Sequence, residues 1–360
     1  MRQQRCTTPA ARLRRRVLAS LGIVAFVAAT VELAVGSVDI GIVDALATVA
    51  SALGWSDYEP DSVTRAVVLG IRAPRIVTAM LVGAALATCG AALQGMFRNP
   101  LADPGLVGVS SGAALGAALV IVFGTEGTSV FALGTAALST QIALPLAAFM
   151  GAVTATIVVH RLSVRHGRAS VEGMLLAGIA INALVGAAIG LLSFVTDDAR
   201  LRDLTLWMLG SLGGTSWLSV AAMLPWVLLT IVLLGARARG LDALLLGEAE
   251  AFHLGVDVDR LKRVIIVTAA LGVGAAVAFV GPIGFVGLVT PHILRLAFGP
   301  SHRLLIPGGA ILGGTILLLA DALARTVVQP AELPIGIVTA LVGAPLFLWL
   351  LLDRRLRSRA

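Results

Sequence analysis

Three groups of polar residues interrupt an otherwise apolar chain, and each suits a different chemistry. Arg72 and Arg75, in the run Arg72-Ala-Pro-Arg75, and Arg325 carry guanidinium forks that match carboxylates bidentately. Their spacing allows two readings, an acidic partner docking from outside or a local pair such as Asp321 with Arg325, one helical turn apart. Arg98-Asn-Pro-Leu-Ala-Asp-Pro-Gly105 has two prolines that bar helix at the preceding residue, which holds Asn99 and Asp103 in extended or turn geometry. Such a loop suits a rigid constriction or an ordinary interhelical turn. Leu241 to Gly255 reads as two short amphipathic helices, broken at Gly247 and ended at Gly255, which must pack on the chain itself or on a partner.

Covalent, redox and nucleotide chemistry find no support in these residue types. Lys262 is the only lysine, and no Gly-rich phosphate-cradling loop surrounds it, so ATP hydrolysis would fall to another polypeptide. Cys6 and Cys89 form neither a pair nor a metal-ligand spacing. His160, His166, His253 and His302 fall in predicted inner loops, and His292 is expected to be a structural hydrogen-bonding residue, so no metal site is assigned. Glu32, Asp197, Asp198, Asp321 and Glu332 all fall near the outer ends of apolar runs. An ion-coupled secondary transporter would need an acidic residue at mid-membrane. Asn182 is the main polar residue inside a run, either in a transport path or hydrogen-bonded between helices.

The elements that position these residues are membrane spans. With 58% hydrophobic and 13% charged residues and a mean hydropathy of +0.96, the chain needs lipid as its solvent. Ten runs approach the length that crosses the hydrocarbon core: 17–35, 75–95, 106–123, 141–160, 173–194, 217–235, 264–281, 286–298, 307–324 and 335–352. The first is too long for a signal peptide and lacks a cleavage site. The eighth is short and is expected to be broken by Pro282, Gly284, Gly287 and Pro291. Ten spans put both termini on one side. If that side is the cytoplasm, 21 of the 27 basic residues lie inside, as the positive-inside rule requires. The charge of +7 is then a topology signal, and no nucleic acid is implied.

The chain also repeats itself. Gly83-Ala-Ala-x-Ala-x-x-Gly90 returns as Gly274-Ala-Ala-x-Ala-x-x-Gly281, with Pro100 and Pro291 at the same offset, and Ala183 to Ala187 returns as Ala340 to Ala344. The first copy starts outside and the second inside, so the repeat is inverted, an arrangement that permits alternating access. The predicted fold is an all-α membrane protein of about ten spans, with spans 2–5 repeated as 7–10. One permease domain covers 17–352, with halves at about 72–195 and 264–352, a coupling segment at 236–262, and basic cytoplasmic tails at 1–16 and 353–360.

Together these stretches resemble the permease subunit of ABC importers for iron chelates, heme and cobalamin. The resemblance runs from about residue 60 to 352 and includes Gly108-Val-Ser-Ser-Gly112, Leu246-Gly-Glu-Ala-Glu-Ala251 with Leu254-Gly255, Gly281-Pro-Ile-Gly-Phe-Val-Gly287 with Pro291-His292, and Glu332-Leu-Pro-Ile-Gly336. It implies a homodimer in the bacterial inner membrane, two separate ATP-binding cassette ATPase subunits that carry the ATP and Mg, and a periplasmic or lipid-anchored binding protein. It implies a path lined by the fifth and tenth spans, with Asn182, Gly186 and Gly343 as candidates, and a cytoplasmic gate at Asn99 and Leu101. No residues are assigned to a second gate segment around Ala169 to Gly173. Coupling to the ATPase is implied for Asp242, Leu246, Gly247, Glu248, Glu250, Ala251, Leu254 and Gly255, and binding-protein docking for Arg72, Arg75 and Arg325. Phe97 to Gly108 with Trp207 to Gly214 look closest to heme permeases, ahead of siderophore and cobalamin permeases.

Overall fold

Runs of Leu, Val, Ala and Gly with no water to compete for their amides close their hydrogen bonds internally, so the chain is built from helices. The computed structural model describes residues 9–36, 38–124, 140–165, 168–328 and 331–352. In chain order the helices are α1 (Pro9–Ala34), α2 (Ile42–Ala52), α3 (Ser62–Arg65), α4 (Ala73–Phe97), α5 (Val109–Phe123), α6 (Thr140–Ser163), α7 (Val171–Val195), α8 (Asp198–Met208), α9 (Trp217–Leu244), α10 (Glu248–His253), α11 (Val258–Val280), α12 (Val286–Phe298), α13 (His302–Thr326) and α14 (Ile335–Leu352). A π-helical segment, Ala66–Arg72, joins α3 to α4, and a 3₁₀ turn, Pro104–Val107, precedes α5. Among the described residues the only strands are β1 (Val164–Arg165) and β2 (Arg168–Ala169), an antiparallel pair leading into α7.

Every predicted span finds its helix. Seven candidate spans are long and apolar enough to cross a membrane, whereas α2, α5, α12 and the described part of α14 are shorter. Helix also occurs where none was expected. Arg12, Arg14, Arg15 and Arg16, assigned to a tail, lie in the first turns of α1, and α2 and α8 lie between spans. The remainder of both basic tails, with Cys6, falls outside the described residues.

The inverted repeat is visible in how helices exchange partners. α4 of the first half packs along α13 of the second, α11 of the second packs along α6 of the first, and α4 and α11 touch each other. Glycines set these approaches. A Cβ on Gly83 would overlap the backbone of Gly313, and one on the equivalent Gly274 would press on Ala152 and Phe149 of α6. Such small-residue contacts replace the hydrophobic driving force that lipid removes.

The halves diverge at the ends of the echo. Gly90 lies inside α4, which runs on to Phe97, whereas its counterpart Gly281 ends α11 at φ +74°. Pro100 accordingly sits in a loop and Pro291 inside α12, so their shared offset is no structural equivalence. The expected break in the eighth span is confined to 281–285; Gly287 and Pro291 lie in regular helix. Pro291 cannot donate to the carbonyl of Gly287 four residues back. That carbonyl faces the side-chain amide of Gln94 at 3.5 Å, which also donates to the Leu288 carbonyl at 3.3 Å. Gly90 lets α4 come this close, since a Cβ there would overlap the same carbonyl.

Candidate functional site

Polar side chains gather at the two ends of the bundle. At one end α1 stops at Ala34 with its last carbonyls free, and Arg72 donates to the Leu33 carbonyl at 2.6 Å, the Ala34 carbonyl at 2.9 Å and the Val38 carbonyl. Arg75 forks onto Asp321 of α13, at 2.8 and 2.9 Å, and also reaches Glu332 at 2.9 Å. Arg325 pairs with Glu32 of α1, donates to the Val35 carbonyl at 2.8 Å, and lies 3.4 Å from Asp321. All three arginines are buried. Arg72 and Arg325 cap α1, Arg325 ties it to α13, and Arg75 ties α4 to α13; the three guanidinium groups named for docking are thus engaged within the chain. The local pair of Asp321 with Arg325 forms as its spacing allowed.

Next to the break at 281–285, the segment from Trp207 to Leu212 laces two helix ends together. Ser211 donates to the Val280 carbonyl at 2.8 Å, while Ile335 and Gly336 donate to the carbonyls of Gly210 and Leu209, each at 3.0 Å. Gly210 has φ +71°, and a Cβ there would press on the Pro282 carbonyl oxygen at 2.7 Å. Phe285 holds a left-handed φ of 67° just before α12, a conformation costing roughly 1–2 kcal/mol for a side-chain-bearing residue. Gly343 packs against Phe285, where a Cβ would lie 2.6 Å from the phenylalanine Cβ. Gly343, one of the path candidates, is buried at this contact. Gly186, by contrast, has nothing within 4 Å of where a Cβ would stand.

The loop after α4 begins with Arg98 in left-handed geometry, φ 49°. Asn99 closes a side-chain turn by accepting from the Leu101 amide at 2.9 Å, and Leu101 is exposed. Asp103 caps the following 3₁₀ turn through the Gly105 amide at 2.8 Å. Asn182 of α7 donates to the Gly105 carbonyl at 3.2 Å and accepts from Ser111 at 2.6 Å. It therefore holds the proline loop and α5 onto α7. Ser170 caps α7 through the Gly173 amide.

The inner segment from Asp242 to Gly255 divides into anchors and an exposed tip. Asp242 belongs to the end of α9, so the first of the two expected short helices is an extension of a span. Its carboxylate accepts from the His302 amide at 2.6 Å and the Ser301 hydroxyl at 3.1 Å, and lies 3.0 Å from the His302 ring. Glu248 pairs with the buried Lys262 at 2.7 Å, and Ala251 is fully buried. These three hold α10 and the end of α9 in place. Leu246, Phe252 and Leu254 are 64–70% exposed, and Glu250 and Gly255 are exposed beside them. Gly247 and Gly255, at φ +129° and +82°, make the turns that present this tip. The cleft beneath it has a volume of about 760 Å³ and is lined by residues between Glu248 and Asp259.

Two further polar residues were not singled out by sequence reasoning. Arg295 is buried and donates to Gln94 at 2.8 Å. Its position among inner-side arginines hid this, because burial is not encoded in charge. Gln94 lies in an apolar run, where one amide among alanines is the available signal. His292 is buried, but its Nδ1 has no partner among the described residues.

A bundle of apolar helices with an inverted repeat, buried ion pairs at one end and an exposed apolar tip at the other fits a membrane-spanning transport subunit. The chain belongs to the FecCD transport family, which it matches over residues 23–353, and is an ABC importer permease of that family. It is 46% identical over 287 residues to the hemin transport system permease of Yersinia pestis, covering 80% of this chain and 83% of that one. It is 45% identical over 296 residues to the cobalamin import permease of Halobacterium salinarum, covering 82% and 76%. A solved inward-facing transporter assigned to the metal-chelate ABC type superposes with a TM-score of 0.80 at 32% identity, covering 94% of this chain and 99% of that one.

Proposed function

We propose that the chain is the permease of an ATP-driven importer that carries hemin into the bacterial cytoplasm. Two copies form the pathway, each resting on one ATPase subunit, with both termini cytoplasmic and a binding protein delivering cargo from outside. The observation that carries this reading is the uncovered face of α7. Its Gly186 and Gly190 meet nothing within 4 Å, and Leu176, Leu184 and Leu191 beside them are 64–69% exposed. Leu341 and Val342 of α14 are likewise uncovered. Small residues on an unpartnered helix face permit close approach of a second copy, and an apolar wall without charges offers a large apolar chelate little to bind. Weak contact favours release.

Asn99 and Leu101 would form the inner gate, tied to α7 through Asn182. Leu246, Phe252, Leu254 and Gly255 would enter the ATPase, positioned by Asp242, Glu248 and Ala251. A carboxylate of the binding protein would reach Arg75 only by displacing Glu332, which is half exposed and the outermost member of that cluster.

Cobalamin is the second reading, favoured by the 45% identity to a cobalamin permease. The test is uptake by proteoliposomes containing this permease with its ATPase and binding protein, offered hemin, cobalamin and a ferric siderophore in parallel. Accumulation of hemin above the other two is expected. Accumulation of cobalamin or siderophore in its place would reassign the cargo while leaving the family role intact.

A further inference from the structure

The inner ends of α1, α9 and α13 enclose a pocket of about 470 Å³ that the transport reading does not use. Arg14, Arg239 and Arg303 line it together with Ile231, Ile306 and Pro307. Only Arg303 has a carboxylate near it, Asp242 at 3.7 Å, and that carboxylate already holds the His302 amide and ring. Arg14 and Arg239 form no ion pair among the described residues, and both retain exposure to solvent. The apolar part of the lining comes from Ile231 and Ala238 of α9 and from Ile306 and Pro307 of α13.

The pocket therefore combines a cluster of cations in excess of their acidic partners with an aliphatic wall, where three helices pass from apolar to basic sequence. A soluble phosphate would use the arginines and gain nothing from the aliphatic wall. An amphiphile with an anionic phosphodiester head and acyl chains would use both. We infer that this pocket binds the headgroup of an anionic glycerophospholipid of the cytoplasmic leaflet, with Arg14, Arg239 and Arg303 around the phosphate. Basic pockets between spans on this side of a membrane have the charge that such headgroups require. The site does not depend on the identity of the cargo.

The test is retention of added lipid by the purified full-length chain in detergent, read by native mass spectrometry. Phosphatidylglycerol is compared with phosphatidylcholine of the same acyl chains. The wild type should retain phosphatidylglycerol preferentially. Arg239→Gln alone should lower that preference about fivefold and Arg14→Gln with Arg239→Gln by a further factor of about five, as expected for one surface cation each. Arg15→Gln, on the same helix but outside the pocket, should leave it unchanged, and all variants should keep the wild-type melting temperature in phosphatidylcholine. Equal retention of the two lipids would overturn the inference. So would an equal loss in Arg15→Gln, which would indicate diffuse surface attraction, or displacement of the lipid by millimolar inorganic phosphate, which would indicate a soluble anion.

Discussion

Arg75 shows how a charge placed against the topological bias is accounted for by packing. Its guanidinium is 8% exposed and Asp321 is 1% exposed, so each needs the other once both have left water. Arg75→Ala should destabilise the protein by about 3–5 kcal/mol, the cost of a buried charge left without its partner. Glu332 is 48% exposed, and Glu332→Gln should cost less than about 1 kcal/mol. Thermal unfolding of the two variants in detergent checks this, and equal shifts would contradict the burial. Spacing made the pair of Asp321 and Arg325 legible, because residues four apart on a helix are neighbours. It could not show the pairs of Arg75 with Asp321 or Arg325 with Glu32, which join helices about 250 to 290 residues apart in sequence. The residue types announced carboxylate recognition correctly, and the tertiary fold supplied the carboxylates from within the chain.

At the scale of elements, hydropathy located all the spans, because a run of apolar residues in lipid has little alternative to helix. It misjudged the eighth span and the inner segment for a common reason. Proline and glycine mark where a helix is permitted to break, whereas Gln94 repairs the hydrogen bond that Pro291 removes, and it lies nearly 200 residues away. Similarly, Asp242 continues α9, and the start of α13 donates to its carboxylate. The inner segment yields a direct prediction from its division into anchors and tip. Phe252→Asp or Leu254→Asp should abolish cargo-stimulated ATP hydrolysis by the assembled complex with no change in the permease's melting temperature, since both side chains are exposed. Glu248→Ala should lower the melting temperature, because it removes the carboxylate that pairs with buried Lys262. A destabilised Phe252→Asp, or a normally stimulated ATPase in both tip variants, would contradict the assignment.

At the scale of the whole molecule, the two halves exchange long helices, with α4 against α13 and α11 against α6, and buried ion pairs join α1, α4 and α13 at one end. The duplicated Gly-Ala motif made this exchange legible, since each copy marks a helix that must approach another backbone closely. The divergence of Gly90 and Gly281 was not legible, because the same residue can lie within a helix or end one. The central claim is that this bundle moves its cargo at the expense of ATP consumed by a partner. Acidic side chains lie near the ends of the long helices, and the tip formed by Leu246, Phe252 and Leu254 is exposed. The most direct measurement is hemin accumulation in proteoliposomes with permease, ATPase and binding protein, given ATP without an ion gradient, against permease alone given a proton or sodium gradient without ATP. Accumulation only with ATP and the complete assembly is the predicted result; accumulation by the permease alone down an ion gradient would contradict the account.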